Sequence, residues 1–341
     1  MRAKMRCTHD KTKNNNYFYR QQLWNEVLCS LHVAQIGTGR VGRPTAYTIM
    51  CAELADTLTV CDTKPGLAAA FAEELRHVTA SVKLDVEISS CERDEEVSGA
   101  DIILISAGEP RTPEVKMSRR DLAARNAEIV KLISEVTSPR NPGAKYVVIS
   151  NPVDAMAMIC KRYSKAEFVI STGTNLESLR FRSRLAGMLE VPVSKVQGWV
   201  GGEHGASAIA LWSTVKINDV PIDDYTGLSG KILQKDAIEH YVKSVSKVIV
   251  DNIGGTAYGP AASFRDIVRG IVRDTKETLS IATPTKFNGI PEPVFVSVPI
   301  QVGRFVKSSS YGFLSDTEKK GVAESAEAVY KTYLMAIQAI E

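Results

Sequence analysis

No run of apolar residues in this sequence approaches the ~18–20 that a membrane-crossing helix requires, and the mean hydropathy is −0.08. There is no CxxC pair and no metal-ligand spacing. The six cysteines, Cys7, Cys29, Cys51, Cys61, Cys91 and Cys160, are scattered over 341 residues. That excludes a small disulfide-stapled scaffold and fits reduced thiols in a cytosol-like compartment, most of them small core residues. Internal repeats and low-complexity tracts are missing too, which sets aside solenoids and long linkers. Net charge is also scarce: 42 Lys+Arg against 39 Asp+Glu leave +3, too little to indicate a nucleic-acid partner.

The small basic excess is local. Residues 1–30 hold six basic and two acidic side chains, so the rest of the chain is net −1. This stretch, "MRAKMRCTHDKTKNNNYFYRQQLWNEVLCS", lacks the apolar core of a secretory signal. It reads as a basic, disordered or loosely packed extension. A short docking helix around "YRQQLWNEVL", an organelle-targeting role and an added contact with an acidic partner are the alternatives. The expected setting is cytoplasmic, with no membrane or nucleic-acid partner.

What is present is ordinary globular material, 44% apolar and 24% charged, long enough for two domains with real cores. "LHVAQIG" reads as a buried strand running into "GTGRVG" and a helix, and "LTVCD" as a second strand. "GLAAAFAEELRHVTA" follows, with Leu67, Ala70, Phe71, Leu75 and Val78 at helical spacing. "LDVEIS", "DIILISA" and "KYVVIS" are further short apolar runs, the last two separated by a long helical pattern. Strands alternating with helices predict an α/β fold with a parallel, doubly wound Rossmann sheet over 31–172. From 173 to 341 the texture changes. "KVQGWVGG", "AIALWSTVKINDVPI" and "EPVFVSVPIQVG" read as strands of a mixed or antiparallel sheet in an α/β substrate domain. Long helices are expected over 230–250, 257–276 and 315–340. The last opens on a capping box, Ser315 to Glu318, and carries an apolar stripe at Val322, Ala326, Val329, Tyr333 and Ile337.

Gly37, Gly39 and Gly42 form G-x-G-x-x-G between a strand and a helix, the context in which that spacing cradles a pyrophosphate. Twenty residues beyond Gly42, Asp62 ends the second strand. A carboxylate there accepts hydrogen bonds from a ribose diol and repels a 2′-phosphate, which favours NAD over NADP. The bland alternative is a glycine-rich turn with Asp62 as a helix cap. Arg40 and Val41, inside the turn, and Asn151, in "SNPVD" at the C-terminal end of a buried strand, complete the candidate cofactor-binding set.

"GGEHG" frames His204 with glycines, a setting that exposes a histidine to a ligand. His9, His32, His77 and His240 have no such frame and read as structural. In "NLESLRF", Glu177 and Arg180 stand three apart and share a helical face, although a surface ion pair would have the same spacing. "RTPEVKMSRRDL" crowds Arg111, Lys116, Arg119 and Arg120 into a dozen positions, as a loop that grips negative charge would.

Taken in order, "GTGRVG", "SAGEPR…MSRRDL", "SNPVD", "LESLRF", "GEHG" and "GGTAYGPA" resemble the L-lactate/L-malate dehydrogenases from about residue 31 onward. "GEHG" and "MSRRDL" are most similar to the malate dehydrogenases that share the lactate dehydrogenase architecture. The resemblance implies a Rossmann domain followed by an α/β substrate domain, and a homodimer or homotetramer. It implies that His204 exchanges the hydroxyl proton as hydride passes between C2 and the nicotinamide, with Glu177 orienting the ring. Arg180 would clamp the C1 carboxylate, Arg119 would polarise the C2 carbonyl, Asn151 would bond the substrate or nicotinamide end, and Thr256 would line the pocket. Arg111 would read the second carboxylate of a dicarboxylate, where lactate-type members usually carry glutamine. The chain departs from the family pattern in two places. Glu177 stands where Asp is usual, and Arg111 and Arg119 are eight positions apart where the family commonly has six. The expected activity is an NAD-dependent L-malate dehydrogenase. L-lactate or a broader 2-hydroxy acid is the alternative substrate, and a non-catalytic NAD-binding or assembly protein is the competing class. The lid carrying these cations is expected to close over the substrate.

Overall fold

The computed structural model describes residues 30–109 and 119–341, with the backbone alone at 119, 120 and 307–310. The extension before residue 30 and residues 110–118, with Arg111, Lys116 and the expected lid, lie outside the described residues. Residues Leu31–Glu341 form one compact unit.

Five parallel pairings join β1 (His32–Ile36), β2 (Thr57–Cys61), β3 (Glu87–Cys91), β4 (Ile102–Ile105), β5 (Lys145–Val148) and β6 (Val169–Ser171). Their spatial order is 3-2-1-4-5-6, the doubly wound arrangement expected from the sequence. β4 shows why these strands read as unbroken apolar runs. Ile103 and Ile105 belong to one buried cluster, and Ile102 and Leu104 to a second on the opposite face. Both faces are covered, so no polar alternation is called for.

Helices α1 (Gly42–Cys51) and α2 (Leu67–Val82) follow the first two strands, and α3 (Arg119–Thr137) and α4 (Val153–Ser164) flank β5. Beyond β6 comes α5 (Asn175–Leu189), which buries Phe181, Leu185 and Leu189 against Val196, Val200 and Val215. Those valines belong to β7 (Val196–Gly201) and β8 (Ile209–Ile217), which pair with β9 (Val220–Pro221) in a three-stranded antiparallel sheet. The short helix α6 (Ile222–Ser229) leads to α7 (Lys235–Ile253) and α8 (Tyr258–Arg273).

The third apolar run of the second half does not join β7 and β8 in one sheet. β10 (Glu277–Thr285), β11 (Val294–Val302) and β12 (Val306–Ser309) extend the first sheet instead, giving nine strands among the described residues. β10 docks antiparallel on β6 at Ala282 and Ser171. The physical reason is the bare edge of β6, whose unpaired amides and carbonyls need a partner. β11 suits a doubly covered position, because all of its residues but Gln301 are buried, odd and even positions alike. The terminal helix α9 (Asp316–Ile340) carries the expected capping box between Ser315 and Glu318. Its stripe buries Val322, Ala326, Val329 and Tyr333, with Ile337 partly buried. Among the described cysteines Cys61 and Cys160 are core residues, whereas Cys51 is exposed and Cys91 half-buried. Among the described residues no helix is long and apolar enough to cross a membrane.

Candidate active site

The turn from β1 into α1 is too tight for side chains at two of its glycines. A Cβ on Gly37, whose φ is +89°, would lie 2.4 Å from the Ala107 amide nitrogen, and one on Gly42 would lie 1.9 Å from the Gly37 carbonyl oxygen. At Gly39, by contrast, nothing lies within 4 Å of a Cβ position, so the crest of the turn is open to a ligand. No side chain caps the first turn of α1. Asp62 is not a helix cap. Its Oδ2 accepts the Thr38 N–H at 2.7 Å and the Thr38 hydroxyl at 3.0 Å, and its Oδ1 accepts the Lys64 N–H at 3.0 Å. An open glycine crest, an uncapped helix start and a carboxylate fixed at the end of the second strand fit a dinucleotide. Val41, half-buried, enters α1 beside them. Arg40 is exposed and faces another element, donating from Nη1 to the Ile253 carbonyl at 3.3 Å.

Across the sheet edge, α5 and the loop after β7 build a three-residue constellation. Glu177 Oε2 lies 3.0 Å from His204 Nδ1, and its Oε1 accepts from Arg180 Nη1 at 3.2 Å. The first turn of α5 supplies Glu177, and the i+3 spacing brings Arg180 onto the same face. The Glu177 side chain is 8% exposed, Arg180 13% and His204 27%, so the group is shielded yet reachable at the ring. The Glu177 carboxylate pushes the His204 imidazole up to about 9, against the opposing pull of burial. Burial pushes the Glu177 carboxyl up, but His204 and Arg180 outweigh it and hold it below the ordinary carboxylate range. With Nδ1 engaged, Nε2 is the ring nitrogen left for proton exchange. The added methylene of Glu177 therefore does not break the contact. The other oxygen of the same carboxylate stays bonded to Arg180.

Glu177, Arg180, His204 and Thr256 line one cavity of about 430 Å³. Lys243 and Ser246, both on α7, line it as well. Asn151 is exposed at the end of β5, joined to Pro152 by a cis peptide. Arg119 opens α3, but its side chain and the whole of Arg111 lie outside the described residues. Of the histidines read as structural, His32 Nε2 is bonded to Thr59 Oγ1 at 2.7 Å within the sheet.

Two supporting residues were not picked out in the sequence. Asp154 accepts the His204 backbone N–H at 2.9 Å and the Ser171 hydroxyl at 2.5 Å. Burial pushes its carboxyl up to about 6, against the bonds from Ser171 and His204. Asn126, only 2% exposed, accepts the Glu109 N–H at 2.7 Å and donates to the Asn151 carbonyl at 2.6 Å. It thus ties Glu109, beyond β4, to the Asn151 strand end. The signal for Asp154 stood inside "SNPVD", where an acidic residue in a first helical turn reads as dipole pairing. Asn126, mid-helix in "AARNAEIV", is a poor helix former with no local cap to make, and that was its only mark.

The NAD-binding domain of lactate/malate dehydrogenases matches residues 31–168, and the α/β C-terminal domain of the same enzymes matches residues 174–335. The chain is 38% identical over 309 residues to the malate dehydrogenase of Sulfurisphaera tokodaii, covering 91% of this chain and 97% of that protein. It is 33% identical over 277 residues to the L-lactate dehydrogenase of Thermoanaerobacter sp. strain X514, covering 80% of this chain and 88% of that one. The crystal structure of Cryptosporidium parvum malate dehydrogenase superposes with a TM-score of 0.82 at 28% identity, covering 91% of this chain and 99% of that one.

Proposed function

This chain belongs to the lactate/malate dehydrogenase family and is an NAD-dependent dehydrogenase; from that premise we propose that it interconverts L-malate and oxaloacetate. The observation that carries the catalytic reading is the single carboxylate of Glu177, which holds His204 and Arg180 together at the wall of one cavity. Bound NAD supplies the hydride acceptor for oxidation, and NADH the donor for reduction. Gly37, Gly39, Gly42 and Asp62 hold that cofactor, with Asn151 at its nicotinamide end. His204 takes the 2-hydroxyl proton during oxidation and returns it during reduction, a two-way task for a ring held by a carboxylate. Arg180 binds the C1 carboxylate through its planar donors. Arg119 stabilises negative charge on the C2 oxygen, and Thr256 lines the wall.

The choice of a C4 dicarboxylate rests on Arg111. Closing a lid over an uncharged methyl would bury an unpaired guanidinium, a cost of several kcal/mol that a second substrate carboxylate removes. The name of the 38% identical relative supports the same choice. The test is NADH oxidation with oxaloacetate and with pyruvate. The wild type is expected to favour oxaloacetate, and Arg111→Gln to narrow or reverse the preference. Equal rates on the two substrates would remove Arg111 from the specificity role. Retained turnover in His204→Asn would exclude that residue as the acid/base.

A further inference from the structure

The substrate cavity contains a cation that no part of the reading above uses. Lys243 stands on α7 and lines the same cavity as Arg180, His204 and Thr256. Helix α7 is fixed to the core by Ile238, 0% exposed, and Val242, 4% exposed. Val242 also reaches the cavity wall, so the residue after it is set at the rim. Ser246, one turn further along, lines the cavity too, as the i, i+3 spacing requires.

The natural partners of Lys243 on its own helix are engaged elsewhere. Glu239, four residues earlier, accepts the Trp212 indole N–H at 2.7 Å. The next lysine of the helix, Lys247, pairs with Asp251 at 2.5 Å. Among the described residues no carboxylate lies within ion-pair distance of Lys243. Its ammonium is therefore exposed at the cavity with three donors uncommitted.

Charge balance says what such a group would meet. Among the described lining residues Glu177 is the one carboxylate, and it is already shared by Arg180 and His204. Lys243 is left as a cation that only a substrate group could meet. A monocarboxylate is taken by Arg180, so a second carboxylate is what Lys243 would add. We propose that Lys243 is a specificity-determining residue that attracts and holds the distal carboxylate of a C4 2-oxo acid at the cavity rim. This deepens the malate/oxaloacetate reading and rests on it. Because Lys243 is exposed, leaving it unpaired is cheap, so it adds selectivity by rewarding the dicarboxylate and not by penalising a smaller substrate. A rim charge acts mainly through encounter and salt dependence.

The experiment compares wild type, Lys243→Met and Lys243→Arg in NADH oxidation with oxaloacetate and with pyruvate, at low and high ionic strength. Lys243→Met is expected to lower kcat/KM for oxaloacetate about fivefold through KM, while kcat/KM for pyruvate moves less than about twofold, the scale of an exposed charge. Lys243→Arg should restore most of the loss, and the salt dependence with oxaloacetate should flatten in the methionine variant. A parallel change on both substrates, or none on either, overturns the role of Lys243 while leaving the substrate assignment standing if wild type favours oxaloacetate. A wild type that favours pyruvate overturns both.

Discussion

Glu177 Oε2 sits 3.0 Å from His204 Nδ1 while the other oxygen of the same carboxylate accepts from Arg180. The His204 ring and the Arg180 guanidinium thus share one counter-ion, so a change of charge at one is felt at the other.

In Glu177→Gln the group that holds the ring up to about 9 is gone, and burial together with the Arg180 charge pulls it down against the weaker help of Asp154. The alkaline limit of oxaloacetate reduction, which needs imidazolium, should fall from near 9 to below the ordinary histidine value of ~6.5. At pH 8 the reduction kcat/KM should drop about thirtyfold or more. A kcat/KM profile from pH 5 to 10 reads both effects, and an unmoved alkaline limit would remove Glu177 from control of the ring.

Asp154→Asn separates support of His204 from charge. The wild-type carboxyl titrates near 6 in the fold against ~3.9 unfolded. Between those values the native state holds a proton that the unfolded state lacks, so this group's contribution is lost as pH rises through about 6. Relative to wild type, the asparagine variant should therefore gain about 3 kcal/mol of stability from pH 3 to 7 and stay level above that. Urea unfolding across that range checks it. A constant difference at every pH would mean that the carboxyl titrates alike in the folded and unfolded chain.

Asn126→Ala leaves the Glu109 N–H and the Asn151 carbonyl without their partner. Two part-buried polar groups without partners cost roughly 1–3 kcal/mol each. We expect Tm to fall by several degrees and KM for both substrates to rise, because Glu109 and the Asn151 strand end come apart together. Wild-type KM values in a destabilised protein would confine Asn126 to a structural role.

Asp62→Ser should weaken NADH binding and relax the rejection of NADPH, since the carboxylate that would repel a 2′-phosphate is removed. The ratio of kcat/KM values for the two cofactors is expected to move at least about tenfold toward NADPH. An unchanged ratio would place ribose selection elsewhere.

Much of this architecture is legible in the sequence because its determinants are local. "LHVAQIGTGRVG" is strand, turn and helix start in one stretch, and β4 reads as buried on both faces because Ile102 to Ile105 has no polar alternation. Pairing between distant segments is another matter. Nothing near β11 states that it lies two strands from β6, because that neighbour is chosen by the exposed edge and not by β11 itself. The same holds for the site. Glu177 and Arg180 declare themselves by spacing, and His204 by its glycine frame. Asp154 is bonded to a partner 50 residues away and Asn126 to partners 17 and 25 residues away, while Lys243 meets the others only at a shared cavity wall.

The docking of β10 on β6 has a consequence for how this enzyme can be taken apart. The loop bearing His204 is itself bridged to β11 through Gly202 and Ser297, and β11 is bonded along its length to β10. A break near residue 172 would not release two modules. It would leave two raw hydrogen-bonding margins, each primed to stick to its like. The halves inherit one frame, and motion during turnover is left to what hangs from it.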